Sequence, residues 1–146
     1  MATTGIAQRS YLLAGALGAI PFIAALWAVY VGGSWAGLTG QVALHSYGVA
    51  ITAFMAGTLW GGTFSAPRFN DALLGMAAAI AVAFTVWMPM AQAYLTLAIL
   101  LGILWCYDLF RYYRYGLPSW YISLRCCLSS VAIACLLAGL FIVRLA

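Results

Sequence analysis

Charged side chains are scarce in this chain, and their scarcity decides its class. Of 146 residues only 5% are charged: six are Arg, two are Asp, and there is no Lys and no Glu. A water-soluble domain carries roughly 25% charged residues, and most of them lie on its surface. Because 67% of the residues are hydrophobic as well, the composition predicts a protein that lies in a lipid bilayer.

The same scarcity limits the chemistry that the chain can perform. A catalytic nucleophile needs a base within hydrogen-bond reach, and bases are nearly absent. A transporter of charged solutes needs ionisable groups near the middle of the bilayer, where the hydrophobic runs have none. We therefore expect neither an enzyme nor a charged-solute transporter, and we expect no nucleic-acid partner.

Ligands for cofactors and metals are equally few. His45 is the single histidine, so the chain cannot supply two axial histidines to a haem. A polar residue at the membrane edge is the favoured interpretation of His45, with a ligand to a pigment or to a haem shared with another chain as a weak alternative. The cysteines lack metal-site spacing and are expected to be free thiols. No cofactor or metal is predicted.

Five hydrophobic runs are long enough to cross the bilayer. Crossing roughly 30 Å of hydrocarbon takes about 20 helical residues, and spans without an alternating polar pattern must be helices. The predicted spans are about 11–31, 42–60, 72–88, 91–109 and 122–143. The first is expected to be a retained span rather than a secretory signal, because it is long and contains Pro21. Residues 1–146 are thus predicted to form one all-α domain, an integral membrane bundle of five transmembrane helices.

The arginines predict the orientation, because cytoplasmic flanks collect basic residues. Arg144 falls on one side of the five spans, and the other five fall on the opposite side: Arg9, Arg68, Arg111, Arg114 and Arg125. We therefore expect the N-terminus inside and the C-terminus outside. Pro89 leaves an alternative open, since it can mark a hairpin turn or a kink in one bent helix, which would leave four spans.

Small residues recur at four-residue spacing in the second span, where they let helix backbones approach closely. One row contains Ala53, Gly57 and Gly61, and a second row beside it runs from Gly48 to Ala56. The second helix is therefore predicted to lie at the centre of the bundle. Packing within the chain is the favoured interpretation, with a dimer or partner interface as the alternative.

The connection between the last two spans is rich in arginine and aromatic residues. Asp108 precedes Arg111 by three residues on a helix, and Arg125 is a second candidate partner across the turn. A carboxylate at the edge of hydrocarbon is costly unless it is paired, so a structural ion pair is favoured over a proton-handling aspartate. The cluster also suits anionic lipid headgroups or an acidic face of a neighbouring subunit. The predicted lipid or partner contacts are Arg111, Arg114, Trp120, Tyr121 and Arg125.

Two polar residues are predicted to cap helices. Asp71 follows Asn70 just before an apolar run, and Ser119 follows Pro118 before the last span. Both patterns are typical of a helix N-terminus. Trp120 and Tyr121 would then occupy the first turn of the last helix.

Several short motifs are distributed over the chain. They are Leu17-Gly18-x-Ile20-Pro21-Phe22, Tyr47-Gly48 leading to Phe54-x-x-Gly57-x-x-Trp60-Gly61, Asp108, and Pro118-x-Trp120-Tyr121-x-x-Leu124-Arg125-x-x-Leu128-Ser129. Together they resemble the transmembrane protein 69 family, a group of small multi-span proteins of bacterial inner membranes and the mitochondrial inner membrane. The resemblance implies a location and an architecture, and no reaction or ligand.

Without a catalytic constellation, the surfaces of the protein are expected to carry its function. We expect an accessory or stabilising subunit of a larger energy-transducing complex, respiratory or photosynthetic, in a bacterial inner membrane. Its partners would be membrane lipids and other membrane-protein subunits. One alternative is a small binding or carrier protein for a lipid or quinone-like apolar molecule, which would need a lateral cleft lined by aromatic residues. A membrane-embedded biogenesis factor is another.

Overall fold

Five α-helices and one short β-hairpin make up the part of the chain that the structure describes. The structure is a computed structural model, and it describes residues 13, 17–35, 37–61 and 68–145. Its helices are α1 (Ile20–Tyr30), α2 (Gly40–Gly61), α3 (Phe69–Phe84), α4 (Met90–Tyr115) and α5 (Ser119–Leu145). The predicted all-α class is confirmed, whereas Arg9 and residues 11, 12 and 14–16 of the first predicted span lie outside the described residues.

Four of these helices are long and apolar enough to cross a membrane. They are α2, α4, α5, and α3 together with the 3-10 turn Thr85–Trp87 that extends it. At 1.5 Å per residue, α3 with its turn measures about 28 Å and α5 measures about 40 Å. The hydrocarbon of a bilayer is roughly 30 Å thick, so the chain is built as a helical membrane protein.

The first predicted span is interrupted in the structure. α1 contains 11 residues, which measure about 17 Å, and a turn at Gly18 and Ala19 precedes it. Pro21 lies in the first turn of α1, where its fixed φ and missing N–H are tolerated. The proline therefore starts this helix instead of lying inside a longer one. The hydroxyl of Tyr47 in α2 donates a hydrogen bond to the Gly18 carbonyl at 2.7 Å.

A β-hairpin joins α1 to α2. Ser34–Trp35 pairs antiparallel with Leu38–Thr39, and α2 begins at the next residue, Gly40. A Cβ atom on Gly40 would overlap the backbone of Ala28 in α1. Only glycine allows the two backbones to approach this closely, so this position fixes how α2 leaves the hairpin.

The second helix lies at the centre of the bundle, as its small residues predicted, and contacts the four other helices. Gly48 faces Leu97 of α4 and Leu136 of α5, whose methyl carbons would lie 3.1 and 3.2 Å from an added Cβ. Thr52 and Ala56 follow Gly48 on the same side and are fully buried. This row is the face of α2 that packs within the chain.

The neighbouring row of α2 was predicted to pack within the chain, and for two of its residues that prediction is wrong. Ala53 and Gly57 are exposed, and a Cβ on Gly57 would meet no atom within 4 Å. The reason is helical geometry: each residue turns the helix by about 100°, so a row one position after the Gly48 row points away from the core. The surroundings of Gly61 lie outside the described part of the chain.

Pro89 marks a hairpin turn, which excludes the bent-helix alternative. The backbone is extended at Met88 and Pro89, and α3 and α4 run antiparallel, since Asp71 of α3 contacts Tyr107 of α4. The two helices nevertheless pack mainly on other partners, α3 on α2 and α4 on α5. Consequently a cleft opens between α3 and α4.

The close crossing of α2 and α3 can be tested at Gly75, where an added Cβ would lie 2.9 Å from the carbonyl oxygen of Ala56. Gly75→Ala is expected to lower the free energy of unfolding by about 1–3 kcal/mol, because it pushes α3 away from α2. The matched control Gly102→Ala meets no atom within 4 Å and should gain about 0.5–1 kcal/mol of helix stability. Unfolding in detergent followed by circular dichroism measures both, and equal losses would contradict the close crossing.

Candidate functional site

Both carboxylate side chains of the chain lie together, buried at one end of the bundle. Asp71 of α3 and Asp108 of α4 are each 1% exposed. Arg111 of α4 and Arg125 of α5 lie with them and are 3% and 4% exposed. We call these four residues the ion cluster. Buried charges are tolerated when they are paired and hydrogen-bonded, and this cluster contains two charges of each sign.

Asp108 occupies the middle of the ion cluster. Its Oδ2 lies 2.6 Å from Nη2 of Arg125, and its Oδ1 lies 3.5 Å from Nη1 of Arg111. Nη2 of Arg111 in turn lies 3.2 Å from Oδ2 of Asp71. The hydroxyl of Tyr107 donates to the other oxygen of Asp71 at 2.6 Å. Arg111 therefore bridges the two carboxylates and links α3 to α4, while Arg125 links α4 to α5.

The central helix joins the same network through Arg125. The Nη2 group of Arg125 donates to the carbonyl of Met55 at 3.1 Å and contacts the hydroxyl oxygen of Thr58 at 2.6 Å. Its Nε donates to the hydroxyl of Tyr121 at 3.0 Å, one helical turn earlier in α5. All four long helices thus meet at the ion cluster, which makes it the main polar connection of the bundle.

The structure brings together Asp108, Arg111 and Arg125, the three residues that the sequence paired. The prediction that Asp71 caps a helix is wrong. Arg68 occupies the N-cap position of α3, without a side-chain cap bond, and α3 begins at Phe69. Asp71 is therefore the third helical residue, where a carboxylate still interacts favourably with the helix N-terminus but its side chain can reach α4.

Two of the five predicted lipid or partner contacts are not at the surface. Arg111 and Arg125 are buried and held by carboxylates, so they cannot present their charges to lipid headgroups. A guanidinium buried among helices is costly without a carboxylate partner, and pairing therefore wins over surface contact. Arg114 is exposed near the end of α4, and Trp120 and Tyr121 are half-buried at the start of α5.

His45 lies at the opposite end of the bundle and is buried. Its Nε2 lies 3.1 Å from the hydroxyl oxygen of Thr85. That hydroxyl donates its proton to the carbonyl of Val82 at 2.7 Å, so the histidine ring is the donor of the first bond. His45 is thus engaged within the protein. Among the described residues, no group of three His, Cys, Asp or Glu side chains could hold a metal ion.

The cleft between α3 and α4 has a volume of about 1270 Å³. Its walls are largely apolar, and a Cβ on Gly102 would meet no atom within 4 Å, which leaves the α4 wall open at that point. The cleft reaches the outer surface of the bundle, because several of its wall residues are exposed. The apolar wall includes Leu73, Leu74, Ala77, Ile99, Ile103 and Phe110.

Polar groups line the cleft at the end that is nearest the ion cluster. Asp71 and Tyr107 face it there, together with Arg68 and Tyr115. Arg68 is half-buried, and its guanidinium carbon lies 3.5 Å from the centre of the Tyr115 ring. This is the geometry of a cation–π contact. The sequence had not singled out Arg68, Tyr115 or Tyr107 as site residues, because contact between α3 and α4 has no signal in local spacing.

The fold and the site together define an all-α membrane protein with a buried, charge-balanced ion cluster and a cleft between two of its helices. Over residues 7–141 the chain matches the family described as a protein of unknown function, DUF3429, and it belongs to that family. No curated protein and no solved structure matches the chain. The function of that family is unknown, so the function of this chain must be argued from the site.

The ion cluster predicts very different roles for two arginines of α5. Arg125→Ala should lower the free energy of unfolding by about 3–5 kcal/mol, because Asp108 stays buried without its closest partner. Arg144→Ala, at an exposed position of the same helix, should change it by less than about 0.5 kcal/mol. Thermal unfolding in detergent compares the two.

A double variant tests whether the stability lost in Arg125→Ala comes from the unpaired Asp108 or from the lost packing of the Arg125 side chain. In Asp108→Asn/Arg125→Gln the remaining charges of the ion cluster, Asp71 and Arg111, still balance, so part of the stability lost in Arg125→Ala should return. Equal melting temperatures for Arg125→Ala and Arg144→Ala would refute the structural role of the cluster.

Proposed function

We propose that this protein binds an apolar or amphipathic molecule of the bilayer, a lipid or a quinone-like compound, in the cleft between α3 and α4. The observation that carries the proposal is the cleft itself, with its largely apolar walls and its polar groups gathered at one end. Binding sites for small molecules are typically concave and mostly apolar, with a few polar groups that fix orientation. The cleft has each of these properties and opens on the surface that would face lipid.

The way the cleft is held open supports the proposal. At one end α3 is tied to α4 by the contacts of Asp71 with Arg111 and Tyr107. At the other end the short turn at Pro89 joins the two helices. Between these ties each helix packs on a different neighbour. A cleft formed by the fold costs little to occupy, because the binding energy is not spent on opening it.

The proposal includes no chemical reaction. The few groups that could act as bases are withdrawn from solvent in the structure: Asp71 and Asp108 are paired with arginines, and His45 is buried. General acid–base catalysis needs such a group to be available to a substrate. We therefore propose a non-catalytic role that needs no cofactor.

A second candidate function is that of an accessory or stabilising subunit of a larger energy-transducing complex. The observation that favours it is the exposed face of α2, where Ala53 and Gly57 are uncovered beside Phe54. Small residues on a spanning helix allow another helix to approach closely. This face belongs to a different helix from those that line the cleft, so the two candidate functions can be tested separately.

We further propose that the protein crosses a bacterial inner membrane five times, with its N-terminus inside and its C-terminus outside. Arg68, Arg111, Arg114 and Arg125 belong to the same end of the bundle as the ion cluster. Arg144 follows Arg125 by 19 positions on α5, which is about 28 Å. Such segregation is typical of a basic cytoplasmic side. The resemblance to the transmembrane protein 69 family stays a prediction and agrees with this location.

The orientation predicts opposite accessibility of the two chain ends. In intact spheroplasts, an impermeant reagent should label a tag at the C-terminus, whereas a tag at the N-terminus should react only after permeabilisation. The reason is that an odd number of crossings separates the ends. A tag on a cytosolic protein serves as the control, and labelling of both ends in intact spheroplasts would contradict five crossings.

The two candidate functions predict different effects at two matched glycines. Gly102 lines the cleft and Gly57 lies on the exposed face of α2, and an added Cβ meets no atom within 4 Å at either position. Gly102→Phe should place a ring in the cleft and lower the amount of lipid or quinone that co-purifies in mild detergent, as measured by mass spectrometry of the organic extract. Gly57→Phe should leave that amount unchanged.

The same variants test the subunit hypothesis on native gels. If the chain is an accessory subunit, Gly57→Phe should lose co-migration with a large complex while Gly102→Phe keeps it, because only the α2 face is disturbed. If Gly102→Phe retains as much lipid and quinone as the unaltered protein, the cleft is not the binding site and the first proposal fails.

A further inference from the structure

We infer that the ligand of the cleft is an anionic phospholipid, whose phosphate is held by the guanidinium of Arg68 while an acyl chain lies along the apolar walls beside Gly102. This inference rests on the proposed function and names the ligand class of the same site. It is carried by the charge balance of the chain and by the position of Arg68 relative to the walls.

The charge balance leaves Arg68 without a carboxylate side chain. The chain has two acidic residues in all, and both are engaged in the ion cluster. That cluster is neutral as a whole, and the charge of Asp71, its member that lines the cleft, is offset by Arg111 at 3.2 Å. Arg68 therefore supplies an uncompensated positive charge where the ligand enters, and an anion is the group that complements it.

The contact with Tyr115 prepares Arg68 for an anion. Its guanidinium lies over the ring at 3.5 Å, so the flat face of the group is occupied by the aromatic side chain. The N–H donors of a guanidinium lie in its plane and fit the oxygens of a phosphate. Stacking thus orients the group while leaving its donor edge for a ligand.

The dimensions of the cleft fit a lipid that enters from one leaflet. Ala77 lies nine positions after Arg68 on α3, about 14 Å further along the helix. Gly102 lies 13 positions before Tyr115 on α4, about 20 Å from the polar end. Half of the hydrocarbon thickness is roughly 15 Å. The apolar walls therefore extend over the depth of one leaflet, with the cation where the phosphates lie.

Zwitterionic lipids and quinones match the polar end less well. A zwitterionic headgroup brings a cation as well as a phosphate, and Asp71, the carboxylate that lines the cleft, is already held by Arg111 and Tyr107. A quinone offers neutral carbonyl oxygens, which form weaker hydrogen bonds with a guanidinium than an anion does. Basic pockets between membrane helices are known binding places for anionic headgroups.

The test compares phosphatidylglycerol with phosphatidylcholine of identical acyl chains, added to the delipidated full-length protein and counted by native mass spectrometry. The unaltered protein should bind phosphatidylglycerol about fivefold better, the factor expected for one basic residue at the membrane surface. Arg68→Gln should abolish this preference while binding of both lipids persists. Arg68→Lys should restore part of it, because it keeps the charge and loses the planar donor edge.

Arg114→Gln is the matched control, because Arg114 is an exposed cation near Tyr115 and does not line the cleft. It should keep the preference for phosphatidylglycerol. Loss of the preference in Arg114→Gln to the same extent as in Arg68→Gln would overturn the inference in favour of general surface charge. Circular dichroism verifies that each variant folds, and Arg68 lies outside the ion cluster that holds the helices together.

Failure of the inference is distinguishable from failure of the proposed function. If both lipids bind equally and Arg68→Gln changes neither, or if ubiquinone displaces phosphatidylglycerol at equal concentration, the anionic ligand is wrong while the cleft remains a binding site. Both proposals are wrong if the unaltered protein binds neither lipid nor quinone. They are also wrong if the Gly102→Phe variant binds these molecules as well as the unaltered protein.

Discussion

The bundle depends on one constraint, which is that every carboxylate of the chain must find an arginine away from water. Removing an ion from water is expensive, and the cost is recovered only when opposite charges meet with good geometry and further hydrogen bonds. Asp108 meets this condition with Arg125 at 2.6 Å, and Asp71 meets it with Arg111 and Tyr107. Because these residues come from different helices, satisfying the charges also fixes how the helices meet.

The contacts of the ion cluster also explain why a cleft can exist between α3 and α4. Helices in a membrane gain little from burying leucine against leucine, so close packing requires small residues. Gly75 and Ala56 supply them between α3 and α2, and Gly48 supplies them at the core of the bundle. The facing sides of α3 and α4 carry mostly larger residues, with Ala77 and Gly102 as the small ones among them. The ion cluster and the turn at Pro89 keep these two helices together at their ends while their middles stay apart.

Local spacing in the sequence predicted the four long helices, the hairpin option at Pro89 and the pairing of Asp108 with Arg111, since these depend on residues close in the chain. It did not predict the partner of Asp71, because an acidic residue before an apolar run looks the same whether it caps the helix or turns inward. The number of acidic residues is informative here: the chain has two aspartates, and the two arginines that the structure buries need both of them. The division of α2 into a buried and an exposed row depends on which neighbours surround it, and periodicity alone does not contain that information.

The excess of arginine over aspartate gives the protein two kinds of cation with separate tasks. Arg111 and Arg125 are paired with the two carboxylates and stabilise the bundle. Arg68 and Arg114 have no carboxylate side chain left to meet, so no acidic side chain of the protein neutralises their charge. The bilayer offers one abundant anion at that depth, the lipid phosphate. In the lipid-binding role proposed above, Arg68, which opens onto the apolar cleft, would select among lipids, whereas Arg114 on the open surface would only contribute to attraction at the interface.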